Sequence, residues 1–198
     1  MPFVGLTGGM GSGKSTALRA LERLGAAVLS SDAVVHELYG EDALRQAVVE
    51  RWGPGVAPAG VVDRSAVARR AFASEDDRAW LEGLLWPLVG ARVASWLGEV
   101  RSASGSGEIR PPAAVVEVPL LFEAGLEKLY DATIAVVSEE QVRRDRAAAR
   151  GHALADERAA RQLSQEEKAQ RATFVVCNDG TEEGLERELS AVLDKLRG

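Results

Sequence analysis

Residues 8–15 read Gly8-Gly9-Met10-Gly11-Ser12-Gly13-Lys14-Ser15, which fits G-x-x-x-x-G-K-[ST], the spacing of a phosphate-binding loop. The flanks supply the context this motif requires. Phe3-Val4-Gly5-Leu6-Thr7 is a short apolar run, as a buried strand would be, and Ala17, Leu18, Leu21 and Leu24 follow at helical spacing. Glycines allow backbone N–H groups to approach phosphate oxygens closely. The helix behind them adds its N-terminal donors and partial positive charge. On this reading Gly9, Met10, Gly11, Ser12 and Gly13 cradle the phosphates and Lys14 reaches the β- and γ-phosphates. Ser15 ligates Mg²⁺ and Thr16 touches the α-phosphate. The rival dinucleotide fingerprint G-x-G-x-x-G fails, because counting from Gly9 or Gly11 puts Lys14 or Thr16 where the third glycine belongs.

The chain has 198 residues, 46% of them hydrophobic, which bounds it to one compact domain or a core with small insertions. A net charge of −6 argues against broad nucleic-acid binding, so an anionic substrate has to be held by local cations. Cys177 is the single cysteine, which excludes an internal disulfide and suggests a reducing compartment. The first strand begins at once, and no apolar run has transmembrane length. The expectation is a soluble cytoplasmic protein with neither a nucleic-acid nor a membrane partner.

Gly25 stops the first helix, and Ala26 to Leu29 forms a second short strand. Ser30-Ser31-Asp32 follows at its carboxyl end. That is the edge of a parallel sheet where ligands bind, so Asp32 is expected beside the phosphate loop. Asp32 also suits an N-cap for a helix beginning near Ala33. His36 lies one turn later and shares its face. Residues 33–100 look helical, with breaks at Gly53-Pro54-Gly55 and Pro58-Ala59-Gly60. Asp63-Arg64 opens one helix there, and Ser74 with Asp77 resembles a capping box for another, which Pro87 kinks or interrupts. The tryptophans and leucines of that region read as core.

Residues 101–113 form a low-complexity connection, expected to be flexible. Three further apolar strands follow at 114–118, 132–137 and 174–177, and Ser138 with Gln141 suggests another capping box. Between them, residues 142–171 carry Arg143, Arg144, Arg146, Arg150, Arg158, Arg161, Lys168 and Arg171 against Asp145, Asp156, Glu157, Glu166 and Glu167. A weakly apolar, arginine-rich hairpin suits a lid over phosphates. Asn178-Asp179-Gly180 turns the chain into a final amphipathic helix over 182–196.

Beyond the loop, five blocks resemble the dephospho-CoA kinase family. They are Thr7 to Thr16, Val28 to Tyr39 (V-L-S-S-D-A-V-V-H-E-L-Y), Leu84 to Leu88 (L-L-W-P-L), Val118 to Glu123 (V-P-L-L-F-E) and Val176 to Gly180 (V-C-N-D-G). The phosphate loop alone is generic; the second and fourth blocks make the likeness specific. The resemblance implies an α/β phosphate-loop NTPase, a three-layer sandwich with a five-stranded parallel sheet, a helical substrate domain and a helical lid. The nucleotide core is expected over 1–32, 114–140 and 172–198, the acceptor domain over 33–100 and the lid over 141–171.

The implied reaction is ATP-dependent phosphorylation of the ribose 3′-hydroxyl of dephospho-CoA, with Mg²⁺. The family likeness makes Asp32, Lys14 and Arg144 catalytic. It places Arg150, Asn178 and Gly180 with the loop residues on ATP, and Asp32, His36, Arg64, Leu85, Trp86, Pro119 and Leu120 on the acceptor. The expected assembly is a monomer or weak homo-oligomer. Two positions depart from the family pattern: Ser30 stands where the first Asp of D-[AS]-D usually is, and Trp86 replaces the histidine of L-L-H-P-L.

Another small-molecule kinase of this fold explains the loop but not P-L-L-F-E. A GTPase-type switch needs Asp-x-x-Gly and Asn-Lys-x-Asp, and neither occurs.

Overall fold

The structure is a computed structural model that describes residues 1–103, 110–149 and 162–197. Its centre is a five-stranded sheet of β1 (Phe3–Gly8), β2 (Ala27–Ser30), β3 (Ala114–Glu117), β4 (Ala132–Val137) and β5 (Phe174–Cys177). The order is β2-β3-β1-β4-β5 and every pairing is parallel. The central strands β1, β3 and β4 are buried almost throughout, and parallel strands covered on both faces read as continuous apolar runs, which is why they were legible. The order reverses at β1, the switch point where open α/β sheets bind ligands.

Eight α-helices occur among the described residues: α1 (Lys14–Arg23), α2 (Ser31–Leu38), α3 (Asp42–Trp52), α4 (Arg64–Ala73), α5 (Glu75–Ala103), α6 (Glu140–Ala149), α7 (Gln165–Arg171) and α8 (Glu182–Arg197). No helix among them is long and apolar enough to cross a membrane. The chain divides into two compact units, Met1–Ser30 with Leu97–Gly198, and Ser31–Trp96.

In the first unit, strand alternation sends Val4 and Leu6 of β1, with Ile134 and Val136 of β4, into one core. Leu18 and Leu21 of α1 and Leu185, Leu189 and Leu193 of α8 close over it. Gly5 faces the other way. A Cβ there would lie 3.1 Å from Leu121 Cδ2 and 3.2 Å from Tyr130, so the two side chains cover that face at close range. In the second unit, Val48, Val56, Val67, Ala71 and Leu81 form a separate core, with Trp52 and Trp80 edge to face at 5.1 Å.

Four local expectations change. Helix α2 begins at Ser31, so Asp32 lies inside its first turn and is not a cap. α5 continues through Pro87. Trp86 is 52% exposed and is not core. Ser138 caps nothing; its Oγ lies 3.2 Å from Ser12 O and 3.0 Å from Asn178 O. Asp63 and Ser74 do cap, accepting from Ser65 and Ala66, and from Asp77, respectively. Of the 101–113 connection, 104–109 lie outside the described residues.

Tyr130 stacks on Phe3 with ring centroids 4.6 Å apart, and burial pushes its phenol up to about 12. The unfolded chain releases that proton near 10. Between about pH 10 and 12 the unfolded state therefore binds fewer protons, and stability falls by up to about 1.4 kcal/mol per pH unit. Tyr130→Phe is expected to remove that component. Equal pH slopes for parent and variant in urea melts above pH 10 would refute it.

Candidate active site

The phosphate loop connects β1 to α1 at the carboxyl edge of the sheet. Its backbone needs glycine at two places. Gly11 and Gly13 adopt left-handed φ values of 74° and 90°. A Cβ on Gly11 would stand 2.4 Å from the Arg143 carbonyl oxygen, and one on Gly13 would stand 1.9 Å from Asn178 Nδ2. Substituting alanine in this conformation costs about 1–2 kcal/mol per residue before any clash. Gly11→Ala is accordingly expected to lower stability by at least that much. A parental melting temperature would mean that the loop and α6 are not in contact.

Lys14 folds back over the loop, with Nζ 3.0 Å from Gly8 O and 3.2 Å from Gly9 O. Ser15 is exposed in the first turn of α1, and the Thr16 hydroxyl accepts from Arg19 at 3.5 Å. Ser12 is fully buried, and its Oγ has no hydrogen-bond partner among the described residues.

A second layer supports the loop from behind. Asn178 Nδ2 donates to Ser12 O at 2.8 Å, and Asn178 is only 5% exposed. Arg146 donates to Asn178 O at 3.0 Å and to Ser138 Oγ at 3.3 Å. Gln165 clasps Ser138, accepting from its N–H and donating to its carbonyl, both at 2.8 Å. Gly180 is exposed with open space around it.

The arginines of α6 divide differently from the expectation. Arg143 Nε donates to Met10 O at 3.2 Å, and its guanidinium carbon lies 3.6 Å from where a Gly9 Cβ would be. Arg144 faces away from these contacts and pairs with Glu140, with both side chains 69% exposed. Arg143 and Arg146 are thus the cations of α6 that meet the loop region, which spacing alone did not distinguish. Arg150, Arg158 and Arg161 lie outside the described residues.

Beyond β3, Pro119 and Leu120 are half-buried, and Pro119 O accepts from Thr7 Oγ1 at 3.4 Å and from Lys168 Nζ at 2.7 Å. Lys168 is the residue that the sequence reading missed as a site element. In sequence it belongs to the lid cations, yet it is 0% exposed and pairs with Glu123 at 2.9 Å. The available signal was Glu123 itself, a carboxylate inside an apolar run, which demands a buried partner. α7 is thus anchored by a buried ion pair, and residues 150–161 of the expected lid lie outside the described residues.

In the second unit, Asp32 and His36 are exposed one turn apart on α2, opposite its buried Val34 and Leu38. Arg64 Nη1 lies 2.9 Å from His36 Nδ1. Arginine can only donate, so Nδ1 accepts and the neutral ring carries its proton on Nε2. Leu85 packs against the core of this unit.

A family model described as dephospho-CoA kinase matches residues 2–183. A dephospho-CoA kinase of Deinococcus radiodurans is 38% identical over 196 residues, covering 98% of this chain and 91% of the relative. One of Rhizobium meliloti is 35% identical over 200 residues, covering 100% and 99%. A crystal structure from Thermus thermophilus superposes with a TM-score of 0.79 at 34% identity, covering 100% of this chain and 99% of that one. A dephospho-CoA kinase from Campylobacter jejuni has a TM-score of 0.68 at 20% identity over 98% and 96%, a likeness of fold.

Proposed function

The chain belongs to the dephospho-CoA kinase family, and from that premise we propose how its residues carry ATP-dependent phosphorylation of dephospho-CoA to CoA and ADP. The observation that carries the reading is the phosphate loop, with two left-handed glycines and Lys14 Nζ drawn over its carbonyls. Phosphoryl transfer depends on positioning and charge neutralisation more than on covalent chemistry by the protein. In our reading the loop N–H groups and Lys14 hold the β- and γ-phosphates.

The donors present fit Mg²⁺. This ion keeps several waters and takes few protein oxygens beside substrate phosphates, and the exposed Ser15 hydroxyl is such an oxygen. Bound there, it supplies charge neutralisation on the transferring group.

Asp32 would orient or deprotonate the acceptor 3′-hydroxyl. His36 Nε2–H, Arg64, Leu85 and the exposed Trp86 of the Ser31–Trp96 unit are assigned to the acceptor by the family likeness, and so, within the first unit, are Pro119 and Leu120. We assign Asn178 to loop support, where its amide is already engaged, and Arg143 to the phosphates. Arg144, the family-implied candidate, would have to leave Glu140 to take part. The single cysteine and the net charge of −6 support a cytoplasmic enzyme of small molecules without a nucleic-acid partner.

An acceptor panel with γ-labelled ATP tests this. Label is expected in dephospho-CoA and at background in nucleoside monophosphates and shikimate. Preferential labelling of another acceptor would replace the reading with that of a different kinase of this fold.

A further inference from the structure

We propose that Lys168 and Glu123 act as a buried positioning pair that fixes the Pro119–Leu120 backbone and thereby sets the affinity for dephospho-CoA. The inference rests on the reading that Pro119 and Leu120 touch the acceptor.

Lys168 Nζ is fully buried, and its hydrogen bonds run to Glu123 Oε1 at 2.9 Å and to Pro119 O at 2.7 Å. Glu123 Oε1 also accepts the Leu163 N–H at 2.8 Å. Glu123 Oε2 is buried with no partner among the described residues. Burial pushes the Lys168 ammonium below the ordinary lysine value, and Glu123 draws it back. An ion pair with one orphaned carboxylate oxygen is a poor device for stability, because an apolar pair of similar volume is often as stable or more so. What an apolar pair cannot supply is a donor aimed at Pro119 O.

That aim matters because of where α7 is fixed. Gln165, three residues before Lys168, holds both backbone groups of Ser138 at the end of β4, and its Cγ lies 3.4 Å from where a Gly9 Cβ would be. Arg171, three residues after, stacks over Phe122 at 4.9 Å and pairs with Glu127. One short helix therefore spans the phosphate loop on one side and the segment after β3 on the other. Its three polar side chains set the spacing between the part that holds the donor and the part assigned to the acceptor. Misplacement of a substrate by about 1 Å can cost on the order of 10²-fold in rate.

The test compares stability with the KM of each substrate in K168M/E123L, where the charge problem is removed along with the bond to Pro119 O. Glu123→Gln is read beside it, since the amide keeps an oxygen for Lys168 and for the Leu163 N–H. The double variant is expected to melt within about 5 °C of the parent. Its KM for dephospho-CoA should rise about tenfold or more, with KM for ATP within about twofold. Glu123→Gln should raise the acceptor KM by about threefold and leave that for ATP unchanged. A parental acceptor KM in either folded variant, or an equal rise for both substrates, overturns the proposal. Leu120→Ala separates it from the reading beneath: an unchanged acceptor KM in that variant means that the segment does not touch the acceptor at all.

Discussion

Lys14→Ala is expected to lose on the order of 10²–10³-fold in kcat/KM while keeping a near-parental melting temperature, the scale on which removal of one preorganised charge-stabilising group acts. The lysine is only half-buried, and Nζ donates to the loop carbonyls Gly8 O and Gly9 O. Its loss leaves the β1–α1 packing untouched. It removes the loop's own cation from the phosphates, where charge shifts as the γ-phosphoryl group leaves. Binding should suffer as well. A ligand at one hundred times its Kd stabilises the parent by about 2.7 kcal/mol, and most of that ATP-induced shift should vanish in the variant. Steady-state kinetics and thermal melts read both quantities. Turnover within a few-fold of the parent would remove Lys14 from the site.

Asp32→Asn is expected to lose on the order of 10²-fold or more in kcat, with the KM values little changed. A ribose hydroxyl is a poor nucleophile until its proton is accepted or its lone pair is aimed. An exposed carboxylate offers both, and its amide offers only aim. The structural cost is small because Asp32 sits in the first turn of α2 and caps nothing. Its favourable interaction with the helix dipole amounts to about 0.3–1 kcal/mol. A folded variant with near-normal kcat would assign activation of the hydroxyl elsewhere, and His36, one turn on, is then the residue to replace.

Local signals carried the reading where local physics decides the outcome. The strand at 132–137 was legible to the residue, since a parallel strand buried on both faces is a bounded apolar run, and the edge strand at 174–177 is just as apolar in sequence although Val175 and Cys177 are exposed. The phosphate loop was legible because its glycines and lysine are required by one geometry. Side chains whose roles depend on distant partners were not. Ser138 resembled a cap in sequence, but the neighbours that claim it are Ser12, Asn178 and Gln165, from three other segments. Arg143 and Arg144 are adjacent and chemically identical, and only the docking of α6 against Met10 separates them. Lys168 reads as one more lid cation because helical spacing says nothing about a carboxylate 45 positions earlier, at Glu123. Pro87 reads as a kink or an interruption because proline lacks the N–H of a helical residue, yet α5 runs through it.

The most direct measurement is the position of the new phosphate. Dephospho-CoA, ATP and Mg²⁺ are incubated with the full chain, and the product is examined by mass spectrometry and phosphorus NMR. The account predicts a gain of one phosphoryl group, seen as a phosphomonoester coupled to the ribose 3′ proton and absent with Lys14→Ala. Unmodified dephospho-CoA with the parent protein, or a phosphate on any other hydroxyl, would contradict it.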